Sequence, residues 1–313
     1  MSDVRRQRRR ILLIGCLGGV LLVLAWWTYR PLAPKRPIGD GPAGPAIPRE
    51  PWSRIWTTAP VRLIGIGDSV TAGFGTSPSH SYFNRLVSNP EDEFPELKGI
   101  CLRAVLPNLE AVNLSISGTT SIEHVDEQLP KIEKAGPDTL GLIVMTSGGN
   151  DLIHDYGHRA PREGAMYGAR LEQAKPWIAN YEKRLDGVFE KLRNCFPAGC
   201  HIFIADIYDP TDGVGDIENA GLPSWADGTV ILEAASDALR RSASRFPQVH
   251  VVPMHDAFLG HGIHCSEKGG RHYRPEDPHY WYFGNLEDPN DRGYDAIRRL
   301  FLLEIAKALS DRR

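Results

Sequence analysis

Short apolar runs rich in β-branched residues recur at residues 61–66, 111–114, 140–145, 201–205 and 249–253. Each has the length of a strand and lacks polar alternation, so each predicts a strand buried on both faces. Ile178, Tyr181, Leu185, Val188, Leu192 and Phe196 return at helical spacing, as do Tyr294, Ile297, Phe301, Ile305 and Leu309. Strand followed by helix, repeated along the chain, predicts an α/β fold with a parallel sheet covered on both faces. Three stretches break the alternation: residues 151–169, 209–225 and 260–291, all rich in Gly, Pro, Asp and aromatics. The first two follow strand ends, where open α/β sheets carry their ligand-binding loops.

The N-terminus has a different pattern. Residues 11–29 contain no charged side chain and follow Arg5, Arg6, Arg8, Arg9 and Arg10. That run has about the length of a bilayer-spanning helix. No small-residue cleavage site follows Ala25, so residues 1–30 are expected to be a cytoplasmic tail and an uncleaved signal anchor, with Trp26, Trp27 and Tyr29 at the far interface. Leu13-Ile14-Gly15-Cys16 resembles a lipobox, but the apolar segment before Cys16 is too short for a signal sequence. Seven prolines and three glycines in residues 31–52 predict an extended linker, which leaves residues 53–313 as one folded domain outside the cytoplasm.

Charge and cysteines refine this picture. The net charge of -3 hides a basic N-terminus: residues 31–313 carry 30 basic and 38 acidic side chains, a net of -8, which argues against nucleic acid as a partner. Outside the anchor stand Cys101, Cys195, Cys200 and Cys265. An even number in an exported domain permits two disulfides, with Cys195–Cys200 and Cys101–Cys265 one arrangement.

Three motifs stand at successive strand ends. Gly67-Asp68-Ser69-Val70-Thr71-Ala72-Gly73 follows the first strand, and a serine at such a turn exposes its hydroxyl at the sheet edge. Asn113-Leu114-Ser115-Ile116-Ser117-Gly118 follows the second, and Ser147-Gly148-Gly149-Asn150-Asp151 the third. A loop-glycine N–H and an asparagine amide are the donors that an acyl-transfer oxyanion requires. Taken singly, these are a helix cap, a turn glycine and another cap; their order is what points to chemistry.

These blocks make residues 61–309 resemble an SGNH (GDSL-like) hydrolase, with Gly67-Asp68-Ser69, Gly118 and Gly148-Gly149-Asn150-Asp151 as the matching elements. The resemblance implies a three-layer, flavodoxin-like sandwich around about five parallel strands. It also implies a Ser69 nucleophile, an oxyanion hole of the Ser69 and Gly118 N–H groups with the Asn150 amide, and ester or acetyl hydrolysis without a metal or cofactor.

The fourth block departs from the family. Members typically carry Asp-x-x-His-Pro-Asn-x-x-Gly-Tyr, whereas this chain has Asn285-Leu286-Glu287-Asp288-Pro289-Asn290-Asp291-Arg292-Gly293-Tyr294, with Asn285 at the aspartate position and Asp288 at the histidine position. A serine hydroxyl needs a base with a pKa near working pH, which a solvated carboxylate lacks. His255, His261, His264, His272 and His279 all precede the final helix. His279, set among aromatics and near Asp288, is the expected base, with Asp288 orienting its imidazole and Asp277 the alternative acid. His261 is the second candidate base, although Gly260-His261-Gly262 with a following cysteine resembles a disulfide-tied structural loop in related proteins. His261, His264, Cys265 and His272 match no tetrahedral metal spacing, and His154 and His158 lack a third ligand nearby.

The expected function is a membrane-anchored extracytoplasmic serine esterase acting on a lipid ester or an O-acetylated glycan through an acyl-Ser69 intermediate. Its rivals are an SGNH-fold binding module whose catalysis is impaired, and an O-acyltransferase that uses the same residues.

Overall fold

The computed structural model describes residues 36–77 and 79–310. Strands β1 (Val61–Ile66), β2 (Leu109–Asn113), β3 (Leu140–Thr146), β4 (Cys200–Ala205) and β5 (Val249–Val252) form one parallel sheet in the order β2-β1-β3-β4-β5. The helices, in chain order, are α1 (Ser69–Ala72), α2 (Tyr82–Val87), α3 (Leu102–Val105), α4 (Ser121–Glu123), α5 (Gly149–Ile153), α6 (Leu171–Cys195), α7 (Gly228–Ser244), α8 (Met254–Phe258) and α9 (Asp291–Leu309). The expected three-layer α/β sandwich is the fold that forms.

The pleat distributes the apolar runs between two cores. Val61 and Leu63, Leu142 and Val144, and Phe203 and Ala205 face the layer built by α2, α3 and α9. Ile64 and Ile66, Ile143 and Met145, and Ile202 and Ile204 face α6 and α7. Successive side chains on a strand point to opposite faces, so a strand covered on both sides reads as uniformly apolar. Because the chain steps from β1 outward to β2 and then back to β3, the loops after β1 and β3 diverge. They open a crevice at the carboxyl edge of the sheet.

The segment expected as a free spacer belongs to the folded unit from Pro37 onward. Arg292 Nη1 donates to the carbonyls of Asp40, Gly41 and Pro42 at 2.6, 3.0 and 3.2 Å, and the Ala43 N–H donates to Asp295 at 3.1 Å. Gly44, at φ +87°, lies against α9 so closely that a Cβ would sit 2.7 Å from Ala296 Cα. A proline-rich strap has few N–H groups, and here its exposed carbonyls are satisfied by an arginine instead.

Beneath the strap, α9 carries a buried ionic cluster. Arg298 bonds Glu93 at 2.5 Å and also Asp295, Arg85 meets Glu93 at 2.6 Å and Asp295 at 3.2 Å, and Arg299 bonds Asp295 at 2.9 Å. Burial alone would raise the Glu93 carboxyl, but Arg85 and Arg298 outweigh it and bring it down to about 2.

Two expectations fail or fall outside the described residues. No disulfide forms among the described residues; Cys101, Cys195, Cys200 and Cys265 are all buried, and an even count alone does not enforce pairing. The apolar run expected to cross a membrane lies in residues 11–29, outside the described residues. Among the described residues, no helix is long and apolar enough to span a membrane.

Arg298→Ala removes one guanidinium partner from each of two buried carboxylates, leaving Arg85 to Glu93 and Arg85 with Arg299 to Asp295, and is expected to cost about 3–5 kcal/mol in guanidinium unfolding. Glu96→Ala removes a half-exposed partner of Arg299 and should cost less than about 1 kcal/mol.

Candidate active site

The nucleophile turn begins at Gly67, whose φ of +141° and whose contact with β3 exclude a side chain: a Cβ there would lie 2.6 Å from the Thr146 carbonyl oxygen. Asp68 then caps α1, its Oδ1 accepting the Val70 N–H at 3.1 Å and the Thr146 hydroxyl at 2.7 Å. Ser69 is therefore the first residue of α1, half-buried at the end of β1.

Both remaining blocks are pinned to the same turn. The Gly67 N–H donates to Gln128 Oε1 at 2.9 Å, and the Gly67 carbonyl accepts from Gln128 Nε2 at 2.8 Å, Ile116 N–H at 3.1 Å and the Thr119 hydroxyl at 3.2 Å. Those bonds fix the loop that carries Gly118. The Asn150 amide donates to the Thr119 carbonyl at 2.9 Å, and Asp151 accepts from the Ser121 N–H and hydroxyl at 2.8 and 2.5 Å. Ser69, the Gly118 loop and Asn150 thus stand on one hydrogen-bonded frame.

A cavity of about 120 Å³ opens beside Ser69 and Asn150. Its walls are mostly apolar, with Ile153, Tyr167, Ile207, Trp225, Leu232 and Leu286 prominent among them. No histidine is among the described residues that line it.

Asp288, at the family's histidine position, stands beside the Ser69 hydroxyl. It is 1% exposed, and its Oδ1 has no partner within hydrogen-bonding geometry. Its Oδ2 accepts from the Asn285 amide at 2.6 Å, while its own N–H donates to Asn285 Oδ1 at 3.2 Å. Burial raises the Asp288 carboxyl, against the lowering effects of Ser69 and Asn285. Asp68 is pushed up to about 6, by burial first and by Asp288 in smaller part, although Thr146 and Val70 oppose the rise. Glu287 is also raised by its burial; its carboxylate accepts the Tyr156 hydroxyl, and the Tyr208 hydroxyl holds its carbonyl.

The histidine expected as base is elsewhere. His279 pairs through Nδ1 with Asp277 at 2.5 Å, Arg292 joins the same Asp277 oxygen at 2.6 Å, and the imidazole lies over Gly39 of the strap. Arg292, bonded to both Asp277 and the strap carbonyls, ties the loop between α8 and α9 to the strap. His261 stacks on Trp281 at 3.5 Å between ring centroids, and its Nδ1 bonds the His279 carbonyl at 3.0 Å. Burial holds its imidazole down at about 4, a packing role. His264 lies between Asp216 and Glu267, at 2.9 and 2.7 Å. Among the described residues, no cluster of three metal-ligating side chains forms.

Residues 66–296 match the GDSL-like Lipase/Acylhydrolase family. The chain belongs to that family. Membership makes it a serine ester hydrolase by class. No curated protein sequence matches it. Among solved structures it is similar to an extracellular lipase from Streptomyces rimosus, 18% identical over 79% of this chain and 99% of that one, with a TM-score of 0.47. It is similar also to a phospholipase A1 from Streptomyces albidoflavus, 19% identical over 77% and 97% with a TM-score of 0.45. A variant of an acetyl xylan esterase from Geobacillus stearothermophilus is 18% identical over 80% and 97%, with a TM-score of 0.48.

The GDSL aspartate has a thermodynamic consequence. Native Asp68 binds its proton with a pKa of about 6 against an ordinary 3.8, so between those values the folded state holds more protons than the unfolded one. Stability from this group is complete below the lower value and lost as pH rises through the upper one. Asp68→Asn keeps an Oδ1 acceptor and loses the titration, so the wild type should lose up to about 3 kcal/mol relative to it between about pH 4 and 7. Denaturant unfolding of both proteins across that range measures the difference.

Proposed function

We propose that this GDSL-family hydrolase cleaves carboxylic esters with a short apolar acyl group, through an acyl-enzyme on Ser69, from a membrane-anchored position outside the cytoplasm. The single observation that carries the reading is a Ser69 hydroxyl at an apolar cavity, framed by the Gly118 loop and Asn150. In this reading the ester carbonyl oxygen lies between the Ser69 and Gly118 N–H groups and the Asn150 amide, which stabilise it more strongly as charge develops. The acyl chain enters between Ile207, Trp225 and Leu232. A cavity of about 150 Å³ holds one benzene ring, so the somewhat smaller space here supports acyl groups of roughly four to six carbons.

Two alternatives have a specific basis. The absence of histidine from the described cavity lining favours a binding module, and the aromatic walls would also suit an O-acetylated glycan. Hydrolysis and acyl transfer use the same residues and differ only in the acceptor. The arginine block and the uncharged residues 11–29 support the anchor and the orientation.

A fluorophosphonate probe is expected to label the wild-type chain and not Ser69→Ala, and Asn150→Ala should lower turnover by about 10²–10³. On p-nitrophenyl esters, kcat/KM should rise by about fourfold per methylene from acetyl upward, the worth of a buried CH₂, and fall once the cavity is full. Leu232→Trp should shift the preference to acetyl. Preference for acetylated xylan or glucan over all apolar esters would replace this reading with the glycan one, and a wild type that neither labels nor hydrolyses would favour the binding module.

The anchor has its own measurement. The full chain should sediment with membranes through alkaline carbonate, with residues 37–310 open to added protease, whereas a chain lacking residues 1–30 should be released to the supernatant.

A further inference from the structure

We propose that Asp288 is itself the general base of this enzyme, taking the Ser69 proton directly, with Asn285 as its positioning residue and no imidazole in the reaction. The proposal rests on the serine-hydrolase reading above and adds the identity of the base.

Polarity at the two positions carries the case. In the family pattern an aspartate accepts a bond from the histidine that it orients. Here the pair is inverted: Asn285 donates its amide to Asp288 Oδ2 and accepts the Asp288 N–H. An asparagine at 285 matches a carboxylate at 288, because an amide can donate where an aspartate could only repel. The Phe283 N–H donates to the Asp288 carbonyl at 2.6 Å, and Tyr282 bridges to Pro289, so the backbone on both sides is held. What remains is Oδ1, buried, without a partner, on a residue next to the Ser69 hydroxyl. A buried acceptor left open is costly, and a Ser69 hydroxyl turned toward it would recover that cost.

A solvated aspartate is too weak a base for serine, and this one is not solvated. Burial raises its pKa against the bonds from Ser69 and Asn285, and its charge in turn raises the groups that face it: Asp68 from the nucleophile turn, Glu287 beside it, and the Tyr156, Tyr208 and Tyr294 hydroxyls from the surrounding elements. Among the described residues, no arginine or lysine forms an ion pair with it.

The reaction balances without any further group. As the Ser69 Oγ–H bond breaks, its proton passes to Asp288 Oδ1, Oγ bonds the acyl carbon, and the carbonyl pair moves to oxygen. Collapse breaks the bond to the alkoxy oxygen, which leaves with the proton from Asp288. Water repeats the sequence on the acyl-enzyme: its proton goes to Asp288, its oxygen bonds the acyl carbon, and Ser69 leaves and recovers the proton.

The test compares the full-length wild type with Asp288→Asn, His279→Ala, His261→Ala and the double variant Asn285→Asp/Asp288→His, on p-nitrophenyl butyrate across pH, with thermal unfolding of each. Asp288→Asn is expected to lose about 10²–10⁴ in kcat, the usual worth of a general base, with an unfolding midpoint at or above that of wild type because one of three neighbouring carboxyls loses its charge. His279→Ala and His261→Ala should keep kcat within a few-fold if folded. The wild-type acid limb should lie above the ordinary aspartate range, and the double variant should move it to the imidazole range near 6.5. Hydrolysis that survives Asp288→Asn but not His279→Ala or His261→Ala overturns the proposal and leaves the esterase reading intact. A wild type with no Ser69-dependent hydrolysis overturns both.

Discussion

The backbone of Gly67 is the point on which the site depends. Its N–H and carbonyl are both held by the Gln128 side chain, and the carbonyl also receives Ile116 and Thr119. One residue at the end of β1 thereby sets the direction of α1 and fixes the loop after β2. Through Thr119 it also fixes Asn150 after β3. Such a frame is costly to assemble, because each buried bond must be made in full, but once made it places donors without reorganisation during reaction. The strand order makes it possible: β1 lies between β2 and β3, so its end is the one spot within reach of both neighbouring loops.

Charge is distributed unevenly around this frame. Behind α9, Arg85, Arg298 and Arg299 neutralise Glu93 and Asp295 in the buried cluster. At the cavity, Asp68, Glu287 and Asp288 have no such partners, and burial raises all three. Glu93 and Asp68 are both inside the protein, yet one is held at about 2 and the other at about 6. The guanidinium neighbours of Glu93 and the stronger desolvation of Asp68 together account for the difference.

Much of this was legible in the sequence wherever the signal was local. The strands β1, β3 and β4 showed because both their faces are covered, whereas β2, expected to be buried on both faces, is an edge strand exposed from Glu110 to Asn113; Ser69, Gly118 and Asn150 showed because each sits within a few residues of a strand end. Helix α7 went unseen because its buried face is largely alanine and serine, Ala235, Ser236, Ala238, Ser242 and Ala243, whose periodicity is weak. Gln128 gave no signal at all: it lies on a π-helical turn, and its role exists only through contacts with Gly67, 61 residues away. The strap was misjudged because composition reports the missing apolar face and is blind to carbonyls that an arginine can bind. His279 was drawn toward Ser69 by proximity to Asp288 in sequence, while in space Asp277 and Arg292 hold it against the strap.

The divergence at 285 and 288 makes chemical sense only as a pair. Aspartate at 285 beside aspartate at 288 would set two carboxylates within bonding distance, and one would have to stay protonated. Asparagine at 285 beside a histidine could orient the imidazole but could not stabilise the imidazolium formed in the reaction. Asparagine with aspartate satisfies both demands, because the amide donates to the carboxylate at 2.6 Å and the aspartate N–H returns a bond at 3.2 Å. On the proposed reading, the change three positions earlier offsets the missing histidine. In that reading the two exchanges together keep a basic atom beside the serine, held by its neighbour, which is the physical requirement that the histidine pattern also meets.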